Sequence, residues 1–160
     1  LLRQVSKSVD KVGDEERALM DDMLDTMYDA PGIGLAAIQI GVPKRIIVMD
    51  ISRDDDKKEP RYFVNPVIKN RNNEKAKYEE GCLSVPDQFA EIERPNACEV
   101  EYLDYDGKKK LLKADGLLAT CIQHEMDHLE GILFIDYLSK LKKSMILKKL
   151  SKIKVNRKIF

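Results

Sequence analysis

The two histidines of the chain lie four residues apart, in the segment H-E-M-D-H that runs from His124 to His128. On a helix this spacing places both imidazoles on one face, where they can hold one divalent cation. Glu125 is too close in sequence to share the ligand role easily, but it is well placed to take a proton from water at the cation. The pattern therefore predicts a hydrolytic metal site; the alternative is a surface helix with two ordinary histidines.

A catalytic site of this kind needs a third protein ligand and one open position. The chain has three cysteines, Cys82, Cys98 and Cys121. Cys98 falls in a predicted strand, where a small buried thiol is the simplest interpretation. Cys82 follows a glycine, which allows a metal or substrate to approach the backbone closely, and Cys121 precedes His124 by three residues on the same predicted helix. The residues alone leave Cys82 and Cys121 both open.

The segment 32–41 reads G-I-G-L-A-A-I-Q-I-G. It superficially resembles a dinucleotide-binding loop, but a predicted helix precedes it and no helix N-terminus follows, so nucleotide binding is not expected. The glycines are better explained by a substrate backbone that lies close to them. The amide of Gln39 could donate to a developing oxyanion, although a satisfied polar residue at a strand edge is the simpler interpretation of a single glutamine.

Secondary structure is predicted from the spacing of apolar residues and from turn signals. The predicted helices run over 14–29, 116–129 and about 139–155, with Asp14, Asp115 and Ser139 as N-caps. The second helix carries the histidines and ends near Gly131. Strands are predicted over 45–51, 62–64, 67–68, 97–105 and 108–113, the last two joined by a hairpin turn at Asp106-Gly107, while 52–60 is a predicted loop and 70–73 a predicted turn.

Separated helices among short strands predict an α+β fold. The chain has 160 residues, 43% of them hydrophobic, and its sequence contains no repeat or linker, so we expect one domain over 1–160. The longest apolar runs are about five residues, against the roughly 18–20 needed to span a bilayer, so no membrane association is expected. Three cysteines without disulfide-like spacing indicate a reducing compartment.

The charge of the chain is balanced in total but unevenly distributed. There are 28 basic and 28 acidic residues, yet nine Lys and Arg and no acid lie beyond Asp136. The body is therefore acidic and the predicted C-terminal helix strongly basic. A basic segment of this kind can attract an anionic polymer even though the net charge is zero.

Three segments together resemble the peptide deformylase family. They are G-I-G-L-A-A-I-Q at 32–39, E-G-C-L-S at 80–84 and Q-H-E-M-D-H-L-E-G at 123–131, in the order and at separations comparable to those of the family. The E-G-C-L-S form resembles the bacterial and organellar class. The resemblance implies an α+β fold in which antiparallel and mixed strands surround a central metal-binding helix, with N-terminal and C-terminal helices.

The implied reaction removes the N-formyl group from N-terminal formylmethionine of new polypeptides and releases formate. The resemblance implies Cys82, His124 and His128 as metal ligands, Glu125 as general base and acid, and Gln39 with the main-chain N–H of Leu83 as oxyanion donors. It implies Fe²⁺ as the cation, with Zn²⁺, Ni²⁺ or Co²⁺ as possible substitutes.

The resemblance also implies how the substrate binds. Ile33, Leu117, Thr120 and Cys121 would line a slot for the methionine side chain, and main-chain groups of Ile33, Gly34 and Gly81 would hold the peptide as a strand. Two positions depart from the pattern of close bacterial relatives. Thr120 replaces a larger aliphatic residue, and Phe89 replaces an arginine.

The implied partners are the N-formylmethionyl nascent peptide and the ribosome, whose RNA the basic C-terminal helix would bind. A monomer in the bacterial cytoplasm is expected. Two other functions compete with this one. A zincin-type endopeptidase would need a further ligand downstream, and the chain has no third histidine. A metal-stabilised binding module would have no use for a carboxylate such as Glu125 beside an open coordination position.

Overall fold

The computed structural model describes residues 2–30, 32–52, 57–82 and 84–153, without the side chains of 85–87 and 151–153. The helices are α1 (Asp14–Asp29), α2 (Gly116–Leu129) and α3 (Lys140–Ile153), with short 3₁₀ helices over Ala37–Ile40 and Phe134–Tyr137. The strands are β1 (Gly34–Ala36), β2 (Ile46–Met49), β3 (Arg61–Arg71), β4 (Lys75–Cys82), β5 (Val85–Pro95), β6 (Ala97–Leu103) and β7 (Lys109–Asp115).

The described strands form two antiparallel sheets. One has five strands in the order β1-β2-β3-β6-β7, and the other is the two-stranded ribbon β4-β5. The parallel pairing in the described residues is an isolated bridge between Lys7 and Lys44. The predicted α+β class is confirmed, as is the hairpin, whose strands are β6 and β7.

The five-stranded sheet lies between two helices. Alternate residues of β2 point to opposite faces, as strand geometry requires. Ile46 and Val48 pack with Met20, Met23 and Met27 of α1. Ile47 and Met49 pack in the cluster that contains Ile122 and Leu129 of α2. Because both faces of β2 are covered, the strand is uniformly apolar, as its sequence predicts.

Helix α1 has the predicted bounds but not the predicted cap. Gly13 is the N-cap residue, and the Glu16 carboxylate accepts a hydrogen bond of 2.9 Å from its backbone N–H. Asp14 lies in the first turn and pairs with Arg17 at 2.8 Å. The prediction that Asp14 caps the helix is wrong, because the glutamate at the third helical position reaches back to the N-cap instead.

The two short strands predicted at 62–64 and 67–68 are parts of one strand, β3. The pairing of β3 with β6 shifts register between Val64 and Val67, where Asn65 has a φ of 50°. The Asn65 side chain holds this bulge, since it binds the N–H and the C=O of Val9 at 2.8 and 2.7 Å. A bulge tolerates the proline that follows, which has no N–H to donate. The turn predicted at 70–73 begins later, after Arg71.

The ribbon β4-β5 is absent from the sequence-based predictions. One face of β4 is lined by exposed charged residues, Lys75, Lys77 and Glu79, and such residues are depleted in strands. The other face carries residues of the candidate site. The polar loop predicted at 52–60 falls partly on 53–56, which lie outside the described residues.

Helix α2 has the predicted bounds. Asp115 occupies the N-cap position, but its side chain makes no capping hydrogen bond, so the predicted side-chain cap is wrong. After its last turn, Gly131 adopts a φ of 75° and donates its N–H to the C=O of His128 at 3.1 Å. The predicted stop at Gly131 is confirmed, and it fixes the end of the helix that carries both histidines.

Helix α3 is capped as predicted, since the Lys142 N–H donates to the Ser139 hydroxyl at 3.3 Å. Its described part ends at Ile153, and the predicted extension to about residue 155 falls on 154–160, which lie outside the described residues. None of the helices in the described ranges is long and apolar enough to cross a membrane.

Gly131 and Gly41 form a matched pair for testing the end of α2. Both have positive φ, but a Cβ at Gly131 would lie 2.3 Å from the Arg3 carbonyl oxygen, whereas a Cβ at Gly41 would meet nothing within 4 Å. Backbone strain alone predicts that Gly41→Ala lowers the free energy of unfolding by about 1–2 kcal/mol. Gly131→Ala should lower the free energy of unfolding, measured by urea denaturation, clearly more than Gly41→Ala does. Equal decreases in the two variants would contradict the close contact between Gly131 and the Arg3 backbone.

Candidate metal centre and active site

Two elements bring the predicted ligands together. His124 and His128 project from one face of α2, and Cys82 ends β4. One ligand atom from each of these residues lies within 4.8 Å of the others. The Cys82 Sγ and the His128 Nε2 are 3.3 Å apart. Bond lengths of about 2.0–2.3 Å in a tetrahedral thiolate–imidazole site place neighbouring ligand atoms about 3.3–3.6 Å apart, and the distance between Cys82 and His128 matches this range.

The electrostatics of the donors also favour a positive charge between them. Burial lowers the pKa of His124, but contacts with Cys82 and Glu80 outweigh it and raise the pKa to about 10. Burial and repulsion by His124 lower the pKa of His128 to about 3. The cluster therefore attracts one positive charge strongly and leaves the His128 imidazole neutral, as metal ligation requires.

The orientation of the His124 ring is fixed by Glu80. The His124 Nδ1 lies 2.9 Å from the Glu80 Oε1. An ionised carboxylate only accepts hydrogen bonds, so Nδ1 donates to it, and Nε2 is the ring nitrogen that can bind a cation once a proton there is displaced. Burial would raise the pKa of Glu80, but hydrogen bonds from His124 and Arg94 lower it below its ordinary value. The ring of Phe134 stacks on that of His124 with centroids 6.1 Å apart.

A buried ion-pair network extends from Glu80. Arg94 donates to both Glu80 oxygens at 2.7 and 3.0 Å and to Asp127 at 2.8 Å. Tyr137 donates to the same Asp127 oxygen at 2.6 Å. Sequence reasoning missed this network; Glu80 and Asp127 stand inside the recognised segments, but nothing in the sequence marks Arg94 or Tyr137.

Glu125 lies beside the donors rather than among them. Its Oε1 is 4.0 Å from the His124 Nε2, and a Cβ on Gly34 would lie 2.9 Å from the same Oε1. Burial raises the pKa of Glu125 to about 7. Its Oε2 is buried and has no hydrogen-bond partner among the described residues. A buried carboxylate in this state is suited to exchange a proton with a molecule that enters the site.

The Gln39 side chain is held against the Cys82 thiol by the 3₁₀ helix after β1. Its Nε2 donates to the Ser84 hydroxyl at 2.9 Å and contacts the Cys82 Sγ at 3.3 Å, while its Oε1 accepts from the Ala36 N–H at 2.9 Å. The structure therefore places Gln39 at the metal centre. Sequence reasoning gave Ser84 no role, although it lies in the same segment as Cys82.

Cys121, which the sequence leaves open as a ligand, is not part of the donor cluster. Its sulfur packs beneath Gly34, where an added Cβ would lie 3.1 Å from it. Burial raises the pKa of the Cys121 thiol well above its ordinary value, so it stays protonated. A neutral thiol is a poor metal ligand, which favours Cys82.

The other predicted binding residues differ in how far they are exposed. Ile33 is partly exposed, Leu117 is half-buried, and Thr120 is buried with no described partner for its Oγ1. Gly34 begins β1, and Gly81 precedes Cys82 on β4. Leu83 lies outside the described residues, so the structure does not describe its predicted oxyanion N–H.

Two strand edges meet at the metal centre. Strand β1 is the end strand of the five-stranded sheet, and β4 pairs only with β5 among the described strands. The first edge begins at Gly34, beside Glu125, and the second ends at Cys82, beside His128. An extended peptide can hydrogen-bond to such edges and present its end to the centre.

Comparison with known proteins points to one family. The family model described as "Polypeptide deformylase" matches residues 1–144. A peptide deformylase of Pelagibacter ubique (strain HTCC1062) is 88% identical over 157 residues, covering 98% of this chain and 91% of the relative. The crystal structure of peptide deformylase from Ehrlichia chaffeensis has a TM-score of 0.91 at 42% identity, covering 99% of this chain and 93% of that one.

A second structure from Ehrlichia chaffeensis, in complex with actinonin, has a TM-score of 0.91 at 44% identity. It covers 98% of this chain and 92% of that one. These similarities agree with the resemblance of the three sequence segments.

The Glu80 carboxylate can be tested without changing a metal donor. Glu80→Gln removes the charge that orients His124 and pairs with Arg94, so we expect Zn²⁺ affinity to fall by about 10–100-fold. Glu79→Gln is the matched control, because Glu79 is adjacent but exposed on the other face of β4. Affinities are measured by competition with a chromophoric chelator, and equal values for the two variants would contradict the role given to Glu80.

Proposed function

Because the chain belongs to the peptide deformylase family of metal-dependent hydrolases, which remove the formyl group from N-terminal methionine, we propose that Cys82, His124 and His128 hold its cation. We further propose Glu125 as the residue that moves the proton during formyl hydrolysis. The observation that carries this proposal is the buried Oε2 of Glu125, which lies beside the three donors and has no hydrogen-bond partner among the described residues. An endopeptidase or a purely structural metal site finds no support in the family match.

The cation supplies Lewis acidity toward the formyl carbonyl and toward water when it is bound. A set of one thiolate and two imidazoles suits Fe²⁺ as well as Zn²⁺, Ni²⁺ or Co²⁺. We propose Fe²⁺ as the working metal, from the resemblance to the family, with Zn²⁺ as the second choice. Formate release that is faster with Fe²⁺ under anaerobic conditions than with Zn²⁺ supports this order.

Glu125 takes up a proton from water and later delivers it to the leaving amine. Its pKa near 7 suits both steps, because a group whose pKa is close to the working pH exists in both protonation states. Burial keeps bulk water away from its carboxylate. The single carboxylate can therefore act first as general base and then as general acid.

Gln39 is proposed to stabilise the oxyanion that forms on the formyl carbon. Its Nε2 makes one full hydrogen bond to Ser84 and one weak contact with the Cys82 sulfur. The N–H that faces Cys82 is the one that can donate to an oxyanion formed beside the ligands. The N–H of Leu83 is proposed as the second donor. Each such donor is worth about 10²–10³ in rate by analogy with other oxyanion holes.

The substrate peptide is proposed to lie along the two strand edges, with main-chain contacts at Ile33, Gly34 and Gly81. The methionine side chain then points toward α2, into a slot lined by Ile33, Leu117, Thr120 and Cys121. A Cβ on Gly34 would meet both Glu125 and Cys121, so glycine at this position keeps room for a backbone to approach. The relative from Ehrlichia chaffeensis was crystallised with actinonin, and we propose that this site binds actinonin also.

The basic C-terminal helix is proposed to bind ribosomal RNA. In α3, Ile146 and Leu150 pack with Phe134, and Lys143 pairs with Asp136 at 2.8 Å. Four further lysines, Lys140, Lys142, Lys148 and Lys149, are exposed on the helix. Ile146 and Leu150 thus anchor α3 while the exposed lysines can reach phosphates. We also propose that residues 1–160 act as one catalytic domain, as a monomer, in the bacterial cytoplasm.

Glu125→Gln tests the proton transfer. The substitution keeps the size of the side chain but removes its basicity, so we expect kcat for formate release from formyl-Met-Ala-Ser to fall by about 10²–10⁴. Bound metal, measured on the same sample, should be unchanged. Glu130→Gln, just beyond α2 and partly exposed, is the control and should keep full activity. Unchanged turnover in Glu125→Gln would overturn the role of Glu125.

Replacing Lys142, Lys148 and Lys149 by Gln tests the proposed ribosome contact without exposing the apolar side of α3. Ribosome affinity should fall, and the slope of log affinity against log salt should shrink by about 0.7–0.9 per lost phosphate contact. Lys75, Lys77 and Lys108, also exposed, are replaced by Gln as the control. The measurement is co-sedimentation at several salt concentrations, and identical binding by both triple variants would contradict the proposal.

A further inference from the structure

The ring of Phe89 covers Gly81 at the rim of the metal centre. The two residues face each other across β4 and β5. A Cβ on Gly81 would lie 2.5 Å from two ring carbons, so the ring occupies the space that a side chain at position 81 would fill. Phe89 is nevertheless 64% exposed. An aromatic ring that packs over a glycine of the neighbouring strand is a known way to stabilise strand pairing at the edge of a sheet.

The ribbon has two faces with different surroundings. Glu80 and Cys82 direct their side chains to His124 and His128 of α2. Because side chains alternate along a strand, position 81 and its cross-strand partner Phe89 lie on the opposite, outer face. Phe89 is therefore close to the metal ligand Cys82 along the chain but on the other side of the sheet.

Phe89 stands out from its neighbours on the outer face. The other outer positions include exposed charged residues: Lys75, Lys77, Glu79, Glu91 and Glu93. Among the outer-face side chains that the structure describes, Phe89 is the one large apolar residue, and it lies at the end nearest the metal centre. The ring packs over Gly81 but belongs to none of the hydrophobic core clusters of the described residues.

A peptide that adds to the free edge of β4 places alternate side chains on the two faces of the ribbon. The methionine must point to the α2 face, so the second residue points to the outer face. On this path the second residue of the peptide lies opposite Gly81, which has no side chain. The Phe89 ring, opposite Gly81 on β5, is then the nearest side chain across the strands on that face. We propose that Phe89 is a specificity residue that favours formyl-Met peptides with a large apolar or aromatic second residue.

This inference rests on the proposed substrate path. It predicts that removal of the Phe89 ring lowers selectivity between peptides with large and small second residues. An aromatic cross-strand contact contributes enough to change kcat/KM by about three- to fivefold. The ring does not touch the reacting atoms, so the change should appear in KM rather than in kcat.

The experiment compares formyl-Met-Phe-Ser with formyl-Met-Gly-Ser as substrates for the metal-loaded protein. In Phe89→Ala, the ratio of kcat/KM for the two peptides should fall by about three- to fivefold through KM. Phe89→Tyr, which keeps the ring, should retain the ratio. Leu111→Ala, which changes another exposed apolar residue, on β7, is the control and should also retain it.

An unchanged ratio in Phe89→Ala, with both peptides still hydrolysed, would overturn the inference and leave the proposed function intact. An equal fall of the kcat/KM ratio in Phe89→Tyr would also overturn it, because the aromatic ring would then not be the group that contacts the second residue. Failure of the parent chain to release formate from either peptide would instead contradict the proposed function on which the inference rests.

Discussion

The carboxylate of Glu80 is the contact on which the geometry of the site depends. It accepts hydrogen bonds from Arg94 on β5 and from His124 on α2, and so joins the β4-β5 ribbon to the central helix. Both members of the Glu80–Arg94 pair are almost fully buried, with 6% and 4% of their side chains exposed. A buried charge without its partner is costly. A shift of the β4-β5 ribbon relative to α2 would break the Glu80 contacts, so both elements are held in place.

Through this contact, the three candidate metal ligands meet between two parts of the fold. The ribbon brings Cys82, and α2 brings both histidines with Glu125 between them. Helix α2 is itself fixed by its packing on the five-stranded sheet and by the turn at Gly131. The rigidity of both partners matters, because catalytic groups must be held closely to their working geometry. The two strand edges beside the centre offer backbone groups to which an extended peptide can hydrogen-bond.

The part of this site that lies on one helix could be predicted from the sequence. The spacing of His124 and His128 has a single geometric meaning on a helix, and the structure places them accordingly. The choice between Cys82 and Cys121 could not be made from spacing, since it depends on which thiol the distant ribbon brings to α2. The ribbon itself was missed because its outer face is charged and its inner face ends in Glu80 and Cys82 instead of apolar residues. Arg94 was missed with it, since a buried ion pair between strands has no sequence period.

The proposed site requires that one sulfur from the ribbon and two nitrogens from α2 hold the cation together. An X-ray absorption spectrum of the Zn²⁺-loaded chain tests this directly. The structure predicts one sulfur scatterer at about 2.3 Å and two imidazole nitrogens at about 2.0–2.1 Å. A spectrum with only nitrogen and oxygen scatterers, or with two sulfurs, would contradict the centre described for Cys82, His124 and His128.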